Sequence, residues 1–226
     1  MVDWRALAAE ALGTCLLVAG VVGSGIMASH LTHDGALALL CNTLATAAVL
    51  VVLVMIFAPV SGAHFNPAVT LALAINGAVR PSQIVPYIAA QIFGSVCGTF
   101  AAHLMFGIKL FSFGVTARTG MGQWLAEIIA TFGLVLTIFG CARRDAPTIA
   151  ASVGLYIGAA YWFTASTSFA NPAVTIARAL TPTYAGIRPI DAPFFIAAQL
   201  FGACLAAFAS RWLFTPQQSR AAGASG

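Results

Sequence analysis

Asn66-Pro-Ala-Val-Thr70 recurs letter for letter as Asn171-Pro-Ala-Val-Thr175, and the reading of this pentapeptide decides the fold. Asparagine is a strong helix N-cap. Proline is favoured at the first helical position, where its missing N–H would lack a partner anyway. Each copy therefore predicts a helix that begins at the motif, with its first-turn N–H groups and the positive end of its dipole at that tip. Turn residues precede each copy, in Pro59-Val-Ser-Gly-Ala-His-Phe and Ser166-Thr-Ser-Phe-Ala. The apolar stretch that follows is about ten residues long, too short to cross a bilayer. A short apolar helix behind a polar loop reads as a re-entrant half-helix. Irregular backbone at membrane depth survives only where protein buries it or where it lines a watery cavity.

The rest of the chain supplies that membrane. Of 226 residues, 7% are charged and 60% are apolar, with ten Lys+Arg against six Asp+Glu. An ordinary soluble domain carries about 25% charged residues. This composition excludes a soluble globular enzyme, a disordered tail and a nucleic-acid-binding module. The net charge of +4 comes from scattered basic residues that form no patch, so they read as loop anchors. Six mostly apolar segments can be marked, at roughly 6–28, 36–57, 83–106, 122–141, 149–167 and 192–214. Six crossings put both termini on one side. Taking that side as cytoplasmic places six of the ten basic residues there, a weak bias in which Arg143-Arg144 is the clearest signal. No signal peptide is read, because the first apolar run is too long and holds Glu10. The five cysteines suggest neither a disulfide framework nor a metal site.

The chain also matches itself elsewhere. Pro86-Tyr-Ile-Ala-Ala-Gln-Ile-Phe-Gly94 resembles Pro193-Phe-Phe-Ile-Ala-Ala-Gln-Leu-Phe-Gly202, and Ala9-Glu-Ala-Leu-Gly-Thr14 resembles Ala126-Glu-Ile-Ile-Ala-Thr131. Three matches in the same order indicate duplication, with repeats at approximately 1–107 and 120–214, and 215–226 as a C-terminal tail, in a single transmembrane domain over 1–226. Three spans per copy turn the second copy upside down, so the half-helices enter from opposite faces and meet near the midplane. Either asparagine alone would be read as a cap only. Two mirrored caps favour a pore, in which each side-chain oxygen caps its helix and each NH2 remains a donor to a solute. Such a pore passes neutral hydroxylated solutes and repels cations, protons included. The expected fold class is an all-α membrane protein with six transmembrane helices and two re-entrant half-helices in an inverted repeat.

These motifs resemble the aquaporin, or major intrinsic protein, superfamily over nearly the whole chain. The resemblance rests on Ala9-Glu-Ala-Leu-Gly-Thr14, on Ser61-Gly-Ala-His-Phe-Asn-Pro-Ala-Val-Thr70, on the Ala-Ala-Gln triplets and on both Asn-Pro-Ala motifs. It implies one pore per subunit of a homotetramer in the cell membrane, with pore motifs Asn66, Pro67, Ala68 and Asn171, Pro172, Ala173. It implies that Glu10 and Glu127, with Gln91 and Gln199, hold the re-entrant loops, and that His64 lies near the pore. Counting from the motifs as in the family places the outer filter at Thr46, Ala159, Ser168 and Val174. The family's filter arginine directly follows the second motif, where this chain has Val174. All four residues are small and uncharged, which implies a wider filter without aromatic wall or cation. Arg178, four residues beyond Val174, is read as a structural or mouth residue. A tetrad without arginine resembles bacterial members linked to arsenic resistance, and Thr175 speaks against a dedicated glycerol facilitator, a branch that usually has Asp there. The implied activity is a passive channel for water, glycerol-like polyols and, by the same chemistry, arsenite and methylated arsenicals. Trivalent arsenite is an uncharged trihydroxide near neutral pH.

Other readings stay open at this stage. A water-selective aquaporin would share the motifs. An ion- or proton-coupled transporter would need an intramembrane carrier, for which only Glu10 and Glu127 are available. An intramembrane hydrolase lacks any suggestive Ser/His or Asp/Asp pair, and an adhesive protein with a vestigial pore would have no need of intact motifs. No cofactor, metal or nucleic-acid partner is expected. His30-x-x-His33-Asp34 is read as a solvated loop, His103 as packing or interfacial, and Trp4, Trp124 and Trp212 as interfacial anchors.

Overall fold

The computed structural model describes residues 3–214, and the expected tail at 215–226 lies outside them. Eight helices follow in order: α1 (Trp4–Leu31), α2 (Gly35–Ser61), α3 (Pro67–Ile75), α4 (Pro81–Met105), α5 (Met121–Cys141), α6 (Ala146–Phe163), α7 (Pro172–Arg178) and α8 (Ala192–Leu213). Side-chain caps fix several starts. Asp3 accepts from Arg5 N, Asp34 from Leu37 N and Asp145 from Thr148 N, which satisfies first-turn donors. Five helices are long and apolar enough to cross a membrane, and α6, at 18 residues, is the shortest of the long ones. It ends four residues before the sequence expectation of 167, because Thr164 Oγ1 turns back to Ala160 O and the chain after it leaves the helix.

Packing repeats in the two halves. Helix α1 lies against α4 and α2, α5 lies against α8 and α6, and α2 meets α6 between the halves. Small residues set the first two contacts. A Cβ at Gly94 would collide with the Ala11 carbonyl of α1, and a Cβ at Gly202 with the Ile128 carbonyl of α5. Lipid offers no hydrophobic drive for helices to associate, so such close backbone approach carries much of the packing. The outward faces are apolar, with Leu44, Val85, Phe93, Leu155 and Phe201 exposed. With the apolar spans, they make this a multi-pass membrane protein. Trp4 and Trp212 are 78% and 82% exposed, whereas Trp124 stacks on Phe194 at 5.1 Å.

The short helices α3 and α7 sit inside this ring, each against α4 and α8, and they touch each other. The α4–α5 connection folds over α7. Gly114 N donates to Ala179 O and Arg188 N to Thr116 O. His103 is fully buried and bridges Thr181 Oγ1 (2.8 Å) and Leu110 O (3.2 Å), tying α4 to the segment after α7. His30 and His33 are exposed.

Candidate functional site

The approaches to α3 and α7 have the same irregular backbone. Left-handed φ values occur at Gly62, Ala63 and Phe65 in one loop and at Thr167, Ser168 and Ala170 in the other. The positions correspond at the motif offset of 105 residues, from Asn66 to Asn171. Left-handed backbone costs a non-glycine residue roughly 1–2 kcal/mol, and here five such residues adopt it. Something must hold the loops, and each has a buried carboxylate to do so.

Glu10, fully buried on α1, accepts from Ser61 Oγ (2.7 Å) and His64 N (2.9 Å) through Oε1, and from Phe65 N (2.7 Å) and Gln91 Nε2 (2.8 Å) through Oε2. Glu127, fully buried on α5, accepts from Phe169 N and Ala170 N at 2.9 Å each, and from Gln199 Nε2 at 2.6 Å. Each glutamine also donates to the threonine that ends its motif, Gln91 to Thr70 and Gln199 to Thr175. Neither carboxylate faces a cation directly, but each collects donors on both oxygens. Buried polar oxygens are tolerated in a low-dielectric interior when they are hydrogen-bonded in this way.

The two helix tips clasp each other. Asn66 Oδ1 accepts from Ala68 N (2.9 Å), and Asn171 Oδ1 accepts from Ala173 N (3.0 Å) and Val174 N (3.3 Å). Asn66 Nδ2 donates across to Ala170 O (2.7 Å), and Asn171 Nδ2 donates back to Phe65 O (2.8 Å). Of the two hydrogens on each NH2, one is therefore committed to the opposite loop, and one is left for a solute.

A cavity of about 100 Å³ for water-sized occupants runs past these tips. On this measure a water needs about 10–15 Å³, so the space holds several. Its lining combines the apolar Leu17, Val21, Leu50, Val54, Val153, Ile157 and Val174 with the polar Asn66, Asn171, Thr46, Ser168 and His64 and the loop residues Gly62–Phe65 and Ser168–Ala170. His64 Nδ1 lies 3.1 Å from Thr70 Oγ1, beside Tyr87.

Three residues depart from the sequence expectation. Ala159 is exposed on the outer face of α6 and does not line the cavity. The inward face carries Val153, Ile157, Ala160 and Tyr161, and Tyr161 donates to Thr46 Oγ1 at 3.3 Å. A gap-free count errs here because one residue along a helix turns the side chain by about 100°. Arg178, read as a structural or mouth residue, is clamped as a structural one but also reaches the cavity. It is 2% exposed, lines the cavity, and donates through Nε to Ala185 O. Phe169 supplies an aromatic wall where none was expected. Its ring lies 3.4 Å from the Arg178 guanidinium carbon and 4.9 Å from that of Arg118. Arg118 in turn donates to Ser166 O (2.9 Å) and Gly186 O (3.2 Å). The repeat held a signal for Phe169, which stands at the register of His64. No comparable signal marks Arg118.

Paired helix tips, carboxylate-held loops and a cavity of mixed polar and apolar lining inside a ring of apolar helices define a membrane channel. The comparisons agree. The chain matches the major intrinsic protein family over residues 1–165 and 143–225. It is 55% identical over 212 residues to aquaglyceroporin AqpS of Rhizobium meliloti (strain 1021), covering 94% of this chain and 91% of that one. It is 28% identical over 240 residues to aquaporin Z of Bradyrhizobium diazoefficiens, covering 98% of each. In fold it is similar to the X-ray structure of the aquaglyceroporin from Plasmodium falciparum, with a TM-score of 0.72, 19% identity, and 93% of this chain and 94% of that one covered. The chain belongs to the major intrinsic protein family. It is accordingly a passive channel for water and small solutes and not an enzyme.

Proposed function

We propose that this channel is broad in specificity, passing glycerol-like polyols as well as water, and with them the uncharged trihydroxide of arsenic(III) and methylated arsenicals. The observation that carries the reading is Val174, an apolar side chain in the first turn of α7 that lines the cavity with Thr46 and Ser168. Small neutral side chains leave the cross-section a polyol needs. The lining suits such a solute, whose CH2 groups lie against Leu50, Val54 and Ile157 while its hydroxyls replace water along the asparagine stripe. Asn66, Pro67, Ala68, Asn171, Pro172 and Ala173 form the central constriction. Thr46, Ser168 and Val174 form the outer one. The resemblance to AqpS, an aquaglyceroporin by name, supports the polyol reading.

The architecture proposed with it is an inverted repeat of residues 1–107 and 120–214. Helices α1, α2, α4, α5, α6 and α8 cross the membrane, α3 and α7 enter from opposite faces, both termini are cytoplasmic, and four copies assemble in the cell membrane. Stopped-flow light scattering on proteoliposomes tests the specificity. Glycerol and arsenite should enter well above empty vesicles, and Val174→Arg should slow them more than it slows water. Fast water with glycerol at background would establish a water-selective channel instead.

A further inference from the structure

The geometry points to Arg178 as the cation that sets ion exclusion and orients solute in this pathway, working from one turn beyond the residue that follows the second motif. The inference rests on the channel reading and deepens it. Four observations carry it. Arg178 lines the same cavity as Asn66, Asn171, Ser168 and Val174. Its side chain is clamped, because Nε donates to Ala185 O and the guanidinium face lies 3.4 Å from the centroid of the Phe169 ring. Phe169 is itself fixed through its N–H to Glu127 and by Arg118 on its ring. Finally, Arg178 Nη1 is buried and has no hydrogen-bond partner among the described residues.

A guanidinium carries only donors. A buried N–H without an acceptor is costly, and the cavity is where an acceptor can arrive. Water or a solute hydroxyl oxygen supplies it. A second orphan supports this. Ser168 Oγ is also buried without a partner among the described residues, and it lines the same cavity. Together they offer one donor-only and one donor-or-acceptor group to a passing polyol. The cation also adds a positive barrier to the two helix tips. Val174 leaves the bore wide, and Arg178 keeps it closed to cations.

The test uses reconstituted full-length protein with three readouts: water flux, glycerol flux, and proton and potassium leak. Arg178→Gln should raise the cation leak at least tenfold, since a like charge even ~10 Å from the permeating ion at an effective dielectric of ~20 is worth that factor and a closer one more. Arg178→Lys should restore exclusion, which a purely structural arginine would not predict. In Arg178→Gln, glycerol flux should fall relative to water flux, since the charged donor to its hydroxyl oxygen is replaced by a weaker neutral one. A wild-type channel passing neither water nor glycerol overturns the channel reading. Normal solute flux with cation exclusion unchanged in Arg178→Gln overturns this one. Should Arg178→Gln fail to assemble, a density map of the wild-type channel with glycerol decides. An oxygen of water or glycerol within about 3.2 Å of Nη1 supports the assignment, and a protein acceptor there refutes it.

Discussion

Removing Glu127 is the sharpest perturbation of how the pathway is built. Glu127→Ala takes the acceptor from Phe169 N, Ala170 N and Gln199 Nε2, at 2.9, 2.9 and 2.6 Å. The site is fully buried, so bulk water does not step in. Each buried donor left unpaired costs ~1–3 kcal/mol, which gives roughly 3–9 kcal/mol for three. Gln199 keeps Thr175 Oγ1 at 2.8 Å, so the lower part of that range applies. The loop meanwhile retains left-handed Thr167, Ser168 and Ala170, with Asn66 on Ala170 O and Arg118 on Ser166 O still in place. Against a total stability of about 5–15 kcal/mol, a loss of this size brings the chain close to unfolding. Glu127→Gln keeps one carbonyl acceptor but turns an NH2 towards other donors, and should fall between, at ~2–4 kcal/mol. The assay is thermal loss of monodisperse protein in detergent, paired with water permeability per folded channel in vesicles. The expected order of midpoints is wild type, Gln, Ala, with permeability reduced in the Gln variant. A Glu127→Gln channel with wild-type midpoint and permeability would refute the reasoning, since the carboxylate would then not be what holds the loop.

Asn171→Ala removes both the cap on Ala173 and Val174 and the tie to Phe65 O. Loss of the cap alone should cost ~0.5–2 kcal/mol, and a double-mutant cycle with Asn66→Ala should be non-additive because both ties cross one junction, as thermal midpoints would report. Gly94→Val would drive a side chain into the Ala11 carbonyl and force α1 from α4. It should destabilise by ~1–3 kcal/mol or more in the same melt. Burial pushes the Asp191 carboxyl upward, but hydrogen bonds from Arg118 N, Thr119 Oγ1 and Arg188 Nε outweigh it and hold its pKa below the usual carboxylate value. A depressed pKa means stability that is present above the unfolded value of ~3.9 and lost as pH falls through the folded one. Hydrogen exchange at the Arg118 amide should therefore accelerate below about pH 4, and Asp191→Asn should remove that dependence.

Much of the site was written locally. An asparagine followed by proline starts a helix wherever it occurs, and its repetition at an offset of 105 residues announced two matched tips. Glu10 and Glu127 stood out because a carboxylate amid apolar residues requires partners, and the family resemblance implied that they and Gln91 and Gln199 hold the re-entrant loops. Composition alone placed the chain in a bilayer. These readings depend on chemistry within a few residues, or on counting between copies, and neither needs coordinates.

The rest depended on angles and reach. Whether Ala159 or its neighbours face inward turns on about 100° of helix per residue, finer than any count across a loop of left-handed residues can fix. Arg178 has a long stem, and only the position of the Ala185 carbonyl and the Phe169 ring determines that its guanidinium bends into the cavity instead of towards the surface. Arg118 comes from a connection whose course over α7 is set by backbone hydrogen bonds, Gly114 N to Ala179 O and Arg188 N to Thr116 O. The sequence determined that two helix tips would meet in a membrane, because capping is local. The tertiary structure decided which side chains surround them, because that depends on where distant backbone brings an acceptor or a ring within a few ångströms.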